Sequence, residues 1–130
     1  MSGVAIARAM LVDDSELKKR VVTIMAGNLP INTQLPAIFI RQISGQEFQL
    51  LNRNVTQLVT ERIQVTVLAT TYLEQKGIIG MIRAAMKPIR GDVNGFYVDS
   101  IRPDIDGPDL YTESPITFEQ SIDYMIRFNR

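Results

Sequence analysis

The chain has 130 residues, 45% of them apolar and 22% charged, the size and balance of one folded domain with a single core rather than of a disordered polymer. Lysine plus arginine equals aspartate plus glutamate at 14 each, so no overall field exists to hold nucleic acid or an anionic membrane. Cysteine and histidine are both absent, which excludes disulfide frameworks, zinc sites of the usual kind, Ser-His-Asp triads and Cys-His dyads.

The first element is an apolar stripe at helical spacing, Val4, Ile6, Met10 and Leu11, which predicts a helix of about two to three turns. Its apolar run, Val4 to Val12, is too short to span a bilayer and carries Arg8 in its middle. It also lacks the basic start and small-residue cleavage pattern of a secretory signal, so the expectation is a protein made in the cytoplasm. Asp14 and Ser15 can cap a short turn through Arg20, and Lys18, Lys19 and Arg20 read as a solvated helix end. Val21 to Met25 is a short strand signal closed by Gly27-Asn28, and Leu29 to Pro36, with two prolines and no period, is a surface loop.

Ala37 to Ile43 is a rich strand signal broken by Ser44-Gly45, and the polar stretch Gln46 to Asn54 is the hairpin connection that follows. Gln57 to Thr70 is the longest internal strand, with Ile63, Val65, Val67 and Ala69 on one face and Gln64, Thr66 and Thr70 on the other. That alternation suits an antiparallel sheet with one wet face, on which Arg41, Glu61 and Arg62 form cross-strand charge pairs. From Tyr72 the period becomes helical, with Leu73, Ile78, Ile82, Ala85, Met86 and Ile89 near one side, and Pro88 and Gly91 end it. Gly95 to Arg102 forms the next strand, an acidic proline-bearing loop follows, and Ile116 to Asn129 alternates strictly as a long terminal strand with one buried face.

This order, α-β-β-β-α-β-β, predicts one α+β domain over 1–130, in which two helices pack on one face of an antiparallel or mixed sheet. Chemistry is sparse. The glycines stand apart and form no phosphate loop. The acidic cluster Asp99, Asp104, Asp106, Asp109 and Glu113 fails the EF-hand spacing and reads as a solvated turn. No catalytic, cofactor or metal residue is assigned, and the expectation is a structural or interaction protein rather than an enzyme.

Four segments carry a likeness to a known family. They are Leu35 to Gly45, Arg62 to Tyr72 leading into the helix, Gly95 to Arg102 followed by Asp109-Leu110-Tyr111, and Ser121 to Phe128. In that order and spacing the chain resembles the tail-completion, or tail-terminator, proteins of long-tailed bacteriophages, over most of its length after residue 29. The family's first loop is matched loosely, by Val22 to Asn28. The resemblance implies a virion protein that forms a ring, taken as hexameric, on the head-proximal end of the tail tube. The ring would stop tube polymerisation and join the tail to the head. Implied partners are further copies of the chain, the tail-tube protein and a stopper or adaptor of the neck, with DNA passing through without specific binding and no membrane or cofactor involved. Two regions are singled out as expectations. Gln46, Glu47, Phe48, Gln49, Leu50, Leu51, Asn52, Arg53 and Asn54 project to contact the tube or the next subunit. Asp104, Asp106 and Asp109 either line the lumen, where negative charge repels the phosphates, or face solvent outside the ring. The alternatives are another neck protein binding the portal side and, remotely, a carboxylate-based enzyme or ligand-binding domain.

Overall fold

A computed structural model describes residues 2–30, 33–48, 58–113 and 115–129. The chain opens with helices α1 (Ser2–Val12) and α2 (Ser15–Arg20), continues through strands β1 (Thr23–Ala26), β2 (Ala37–Phe48) and β3 (Leu58–Ala69), and enters helix α3 (Tyr72–Ala85). Strands β4 (Gly91–Val93), β5 (Phe96–Asp106), β6 (Leu110–Glu113) and β7 (Ile116–Asn129) complete it. The seven strands form one sheet of order β1-β2-β3-β7-β5-β4, with β6 also paired to β7. The fold is α+β with a mixed sheet, as the element order predicts.

The terminal strand holds the sheet together. β7 runs antiparallel to β3 along Leu58↔Asn129 to Ala69↔Phe118 and is flanked on its other side by β5 and β6. A strand paired on both sides leaves few backbone groups for water, so the strongest alternation in the sequence lands at the centre. The face carrying Ile38, Ile40, Ile63, Val65, Val67, Ile122, Tyr124, Ile126 and Phe128 is buried. α1 and α3 cover that face and α2 packs against both, adding Ile6, Leu11, Leu17, Ile78 and Ile82 to one core. The opposite sheet face carries no helix among the described residues and holds a polar row, in which the Arg41 guanidinium donates to Gln64 Oε1 and Gln64 Nε2 donates to Asp123 Oδ1.

Local chemistry explains the boundaries. Asp14 Oδ1 accepts from the Glu16 and Leu17 N–H groups at 3.0 and 3.1 Å, so the predicted capped turn is a helix. Thr71 caps α3 in the same way through Glu74 N. Asn94 and Gly95, at φ 52° and 85°, supply the paired positive φ values that a two-residue hairpin turn requires. That turn creates β4, a strand the sequence reading left out.

Several expectations are corrected. β1 is parallel to β2, the one pairing among the described strands that makes the sheet mixed rather than antiparallel. Ser44-Gly45 does not end β2; the register slips between Gln42 and Ser44, a bulge absorbs the irregularity, and pairing resumes to Phe48↔Leu58. Gln46, Glu47 and Phe48 are therefore strand, not connection. Most of the expected acidic loop is strand as well. β5 extends to Asp106 because β7 offers it a partner far past Arg102, and beyond Val98 the other edge of β5 has no neighbour among the described residues, the kind of strand in which proline is tolerated. Leu73 faces solvent at 84% exposure instead of joining the core face of α3.

Glu61 is the clearest correction. It is 3% exposed on the helix-covered face, not on the wet face beside Arg62. Neighbours in a strand point to opposite sides, and Glu61 alternates with the buried Val59 and Ile63. Its Oε1 accepts the Gly3 N–H at 2.8 Å, so the carboxylate sits at the positive end of α1 and satisfies one of the donors that a helix start leaves unpaired.

Candidate functional site

The described residues converge on no catalytic constellation; what they present is a surface. β6 pairs with β7 from Leu110↔Glu119, beside Leu68, to Glu113↔Ile116, and the last two pairs, Thr112↔Thr117 and Glu113↔Ile116, extend past Ala69, the last residue of β3. Large apolar groups gather there. Leu73, Leu110, Tyr111 and Ile116 are each more than half exposed, and Tyr72 is nearly so. The Phe118 ring lies 4.9 Å from that of Tyr111 and 6.1 Å, edge-on, from that of Tyr72, whereas Leu110, opposite Glu119, is on the other face of the hairpin.

A polar rim stiffens this end. Lys76 Nζ lies 2.7 Å from Asp109 Oδ1, donates to Gln120, and sits 5.0 Å from the centroid of the Tyr72 ring. The Tyr72 hydroxyl donates to Asp109 at 3.0 Å. The hydrogen bond from Lys76 holds the Asp109 carboxyl below its ordinary range. Desolvation pulls Lys76 downward, but the hydrogen bond and charge of Asp109 outweigh it and leave the ammonium raised. Gly107 N donates to Ser121 O at 2.7 Å and Gln120 Nε2 to Gly107 O at 3.0 Å, pinning the turn between β5 and β6. An aromatic cluster rimmed by satisfied polar groups is the composition of a protein interface.

The regions singled out from sequence fall as follows. Gln46, Glu47 and Phe48 pair with Thr60, Val59 and Leu58, at the opposite end of the β3–β7 pair from the aromatic tip. Gln49, Leu50, Leu51, Asn52, Arg53 and Asn54 lie outside the described residues. The three aspartates do not converge, and each meets its own cation. Asp104 pairs with Arg62 at 2.6 Å, Asp106 with Arg83, and Asp109 with Lys76. Asp99 lies 3.6 Å from Arg90. The negative field that the sequence ascribes to this stretch is thus largely cancelled in place. Sequence reasoning missed Leu73, Tyr111 and Ile116 as a surface; the available signal was Leu110-Tyr111, an apolar pair within an otherwise acidic and polar stretch.

No protein-family model matches the chain, and no curated protein matches it in sequence. Among solved structures the fold recurs in a chain of the virion of a native gene transfer agent particle. That chain superposes with a TM-score of 0.71 at 9% identity, over 99% of this chain and 97% of its own length. At such identity the likeness is one of fold.

Proposed function

We propose that this protein is a structural subunit of a phage-type virion, which assembles as a ring on the head-proximal end of the tail tube, ends tube growth and joins tail to head. The observation that carries the reading is the end-to-end likeness of fold to a chain of a virion particle, covering 97% of that chain. The family resemblance of the four strand segments points the same way. In this reading the chain acts by binding and not by catalysis, resides in the virion after synthesis in the host cytoplasm, and contacts copies of itself, the tube protein and a neck protein. A closed ring needs a heterologous contact, with different patches on the two sides of each subunit. The aromatic tip around Phe118 is one such patch, and its counterpart is the segment 46–54, whose described residues Gln46, Glu47 and Phe48 lie at the other end of the β3–β7 pair and which would face the tube or the next copy.

Light scattering after gel filtration tests the ring: six copies of the 14.6 kDa chain give about 88 kDa. Tyr111→Ser with Leu73→Ser is expected to shift the ring toward monomer while the circular dichroism spectrum stays that of the folded chain, because both side chains are more than half exposed and outside the core. A monomer that also fails to cap tail tubes in co-assembly would sink the terminator role. The lumen role of Asp104, Asp106 and Asp109 has its own test. Neutralising them leaves Arg83 and Lys76 without a carboxylate and Arg62 with Asp123 alone, which would strengthen the pull on phosphates. Unchanged DNA retention and infectivity in the triple variant would remove these residues from the lumen.

A further inference from the structure

On the sheet face without helices, Thr60 of β3, Ser100 and Arg102 of β5, and Met125 and Arg127 of β7 line a depression of about 340 Å³. The register brings them together, with Arg127 opposite both Thr60 and Ser100 and Arg102 opposite Met125. Arg8, Lys18, Arg20 and Lys87 are exposed cations without a carboxylate in ion-pair distance among the described residues, and this depression differs in that two cations without such a partner line one place. Arg41 is bonded to Gln64, and Arg62, Lys76, Arg83 and Arg90 all have a carboxylate within ion-pair distance. Arg102 and Arg127 have no such partner among the described residues, and Arg127 Nε is shut off from solvent with no hydrogen-bond acceptor. A donor buried without an acceptor is unfavourable, and the guanidinium that carries it lines the depression.

We propose that this depression is an oxyanion site, taking the carboxylate of a glutamate or aspartate from a protein chain that lies across the uncovered face. Two planar guanidinium groups offer the fork geometry that matches a carboxylate, and the Thr60 and Ser100 hydroxyls add donors beside them. Met125 gives the methylene stem of an acidic side chain an apolar wall. A phosphate strand is the poorer occupant. Two cations in a chain of net charge zero supply little counterion release, and Asp104 and Asp123 stand two residues farther along β5 and β7 from Arg102 and Met125. The inference stands apart from the ring and holds for any protein partner on this face.

Arginine footprinting of the full chain with phenylglyoxal, read by peptide mass spectrometry, tests it. The probes are N-acetylglutamate α-amide and a short oligothymidylate at constant ionic strength. The glutamate probe is expected to slow modification of Arg102 and Arg127 saturably, by about fivefold or more as charge-assisted pairs allow, and to leave the exposed Arg8 unchanged. Arg127→Gln should abolish the protection of Arg102. Arg102→Gln should abolish that of Arg127, so a folding failure in one variant leaves the other to decide. Equal rates at Arg102 with and without the glutamate probe would overturn the site. Protection by oligothymidylate but not by the glutamate probe would overturn the carboxylate assignment in favour of phosphate.

Discussion

Glu61 and Gly3 form a unit in which each residue explains the other. A carboxylate on the core face of β3 is tolerated because it accepts a backbone N–H at the start of α1, and that approach leaves no room for a side chain at position 3. A Cβ there would stand 2.5 Å from Glu61 Oε1. Glu61→Ala is expected to cost about 1–3 kcal/mol in chemical denaturation, the range for orphaning a buried donor, and Gly3→Ala should destabilise measurably as well. Tyr124 is the other telling residue, 1% exposed at the centre of β7. Burial raises its phenol above the ordinary value of 10.0, so the unfolded chain loses that proton first. Its contribution is fully present below pH 10 and is lost as pH climbs through the raised folded value. Tyr124→Phe should keep stability near neutrality and flatten the alkaline decline above pH 10 in melts taken across pH.

At the scale of elements, α3 holds the sharpest contrast between propensity and place. Its buried side, Ile78, Ile79 and Ile82, follows the helical period, whereas Gly77 and Gly80 sit on the exposed side, where an added Cβ meets nothing within 4 Å. Gly77→Ala and Gly80→Ala are each expected to raise stability by about 0.5–1 kcal/mol. A loss of stability in thermal melts would mean that the open space is occupied. β2 and β5 illustrate the converse, elements longer than their own signals. Ser44-Gly45 and Pro103 are breakers by propensity, yet β3 and β7 supply ladders long enough to carry the strands past them through a bulge or along an open edge.

Over the whole molecule, helices on one face divide the sheet into a dry side, which makes the fold, and a wet side free to meet other molecules. The apolar tip at Phe118 and the paired arginines at Arg102 and Arg127 lie on no common patch; the tip extends past the end of β3, and the arginines lie toward the other end of β7 on the face opposite the helices. A subunit with two separate contact areas can hold a like neighbour with one and an unlike partner with the other. Tyr111→Ser with Leu73→Ser should therefore alter assembly mass without removing the protection of Arg102 by the glutamate probe. Loss of both together would merge the two surfaces into one.

The sequence by itself determined the α+β class, the two main helices, the long β3 and β7 strands and the core face between them. These follow from periods of 3.6 and 2 that each segment carries internally. It also determined which catalytic chemistries are closed to a chain without cysteine or histidine. Only the tertiary structure decided the parallel placement of β1, the passage of β2 and β5 through their breakers, the inward turn of Glu61 and the outward turn of Leu73. Each depends on a partner distant in sequence, as Gly3 is from Glu61. The candidate surfaces belong to the same group. Exposure at Tyr111 and the missing acceptor at Arg127 are properties of what surrounds a side chain, and those surroundings are assembled by β3, β5, β6, β7 and α3 together.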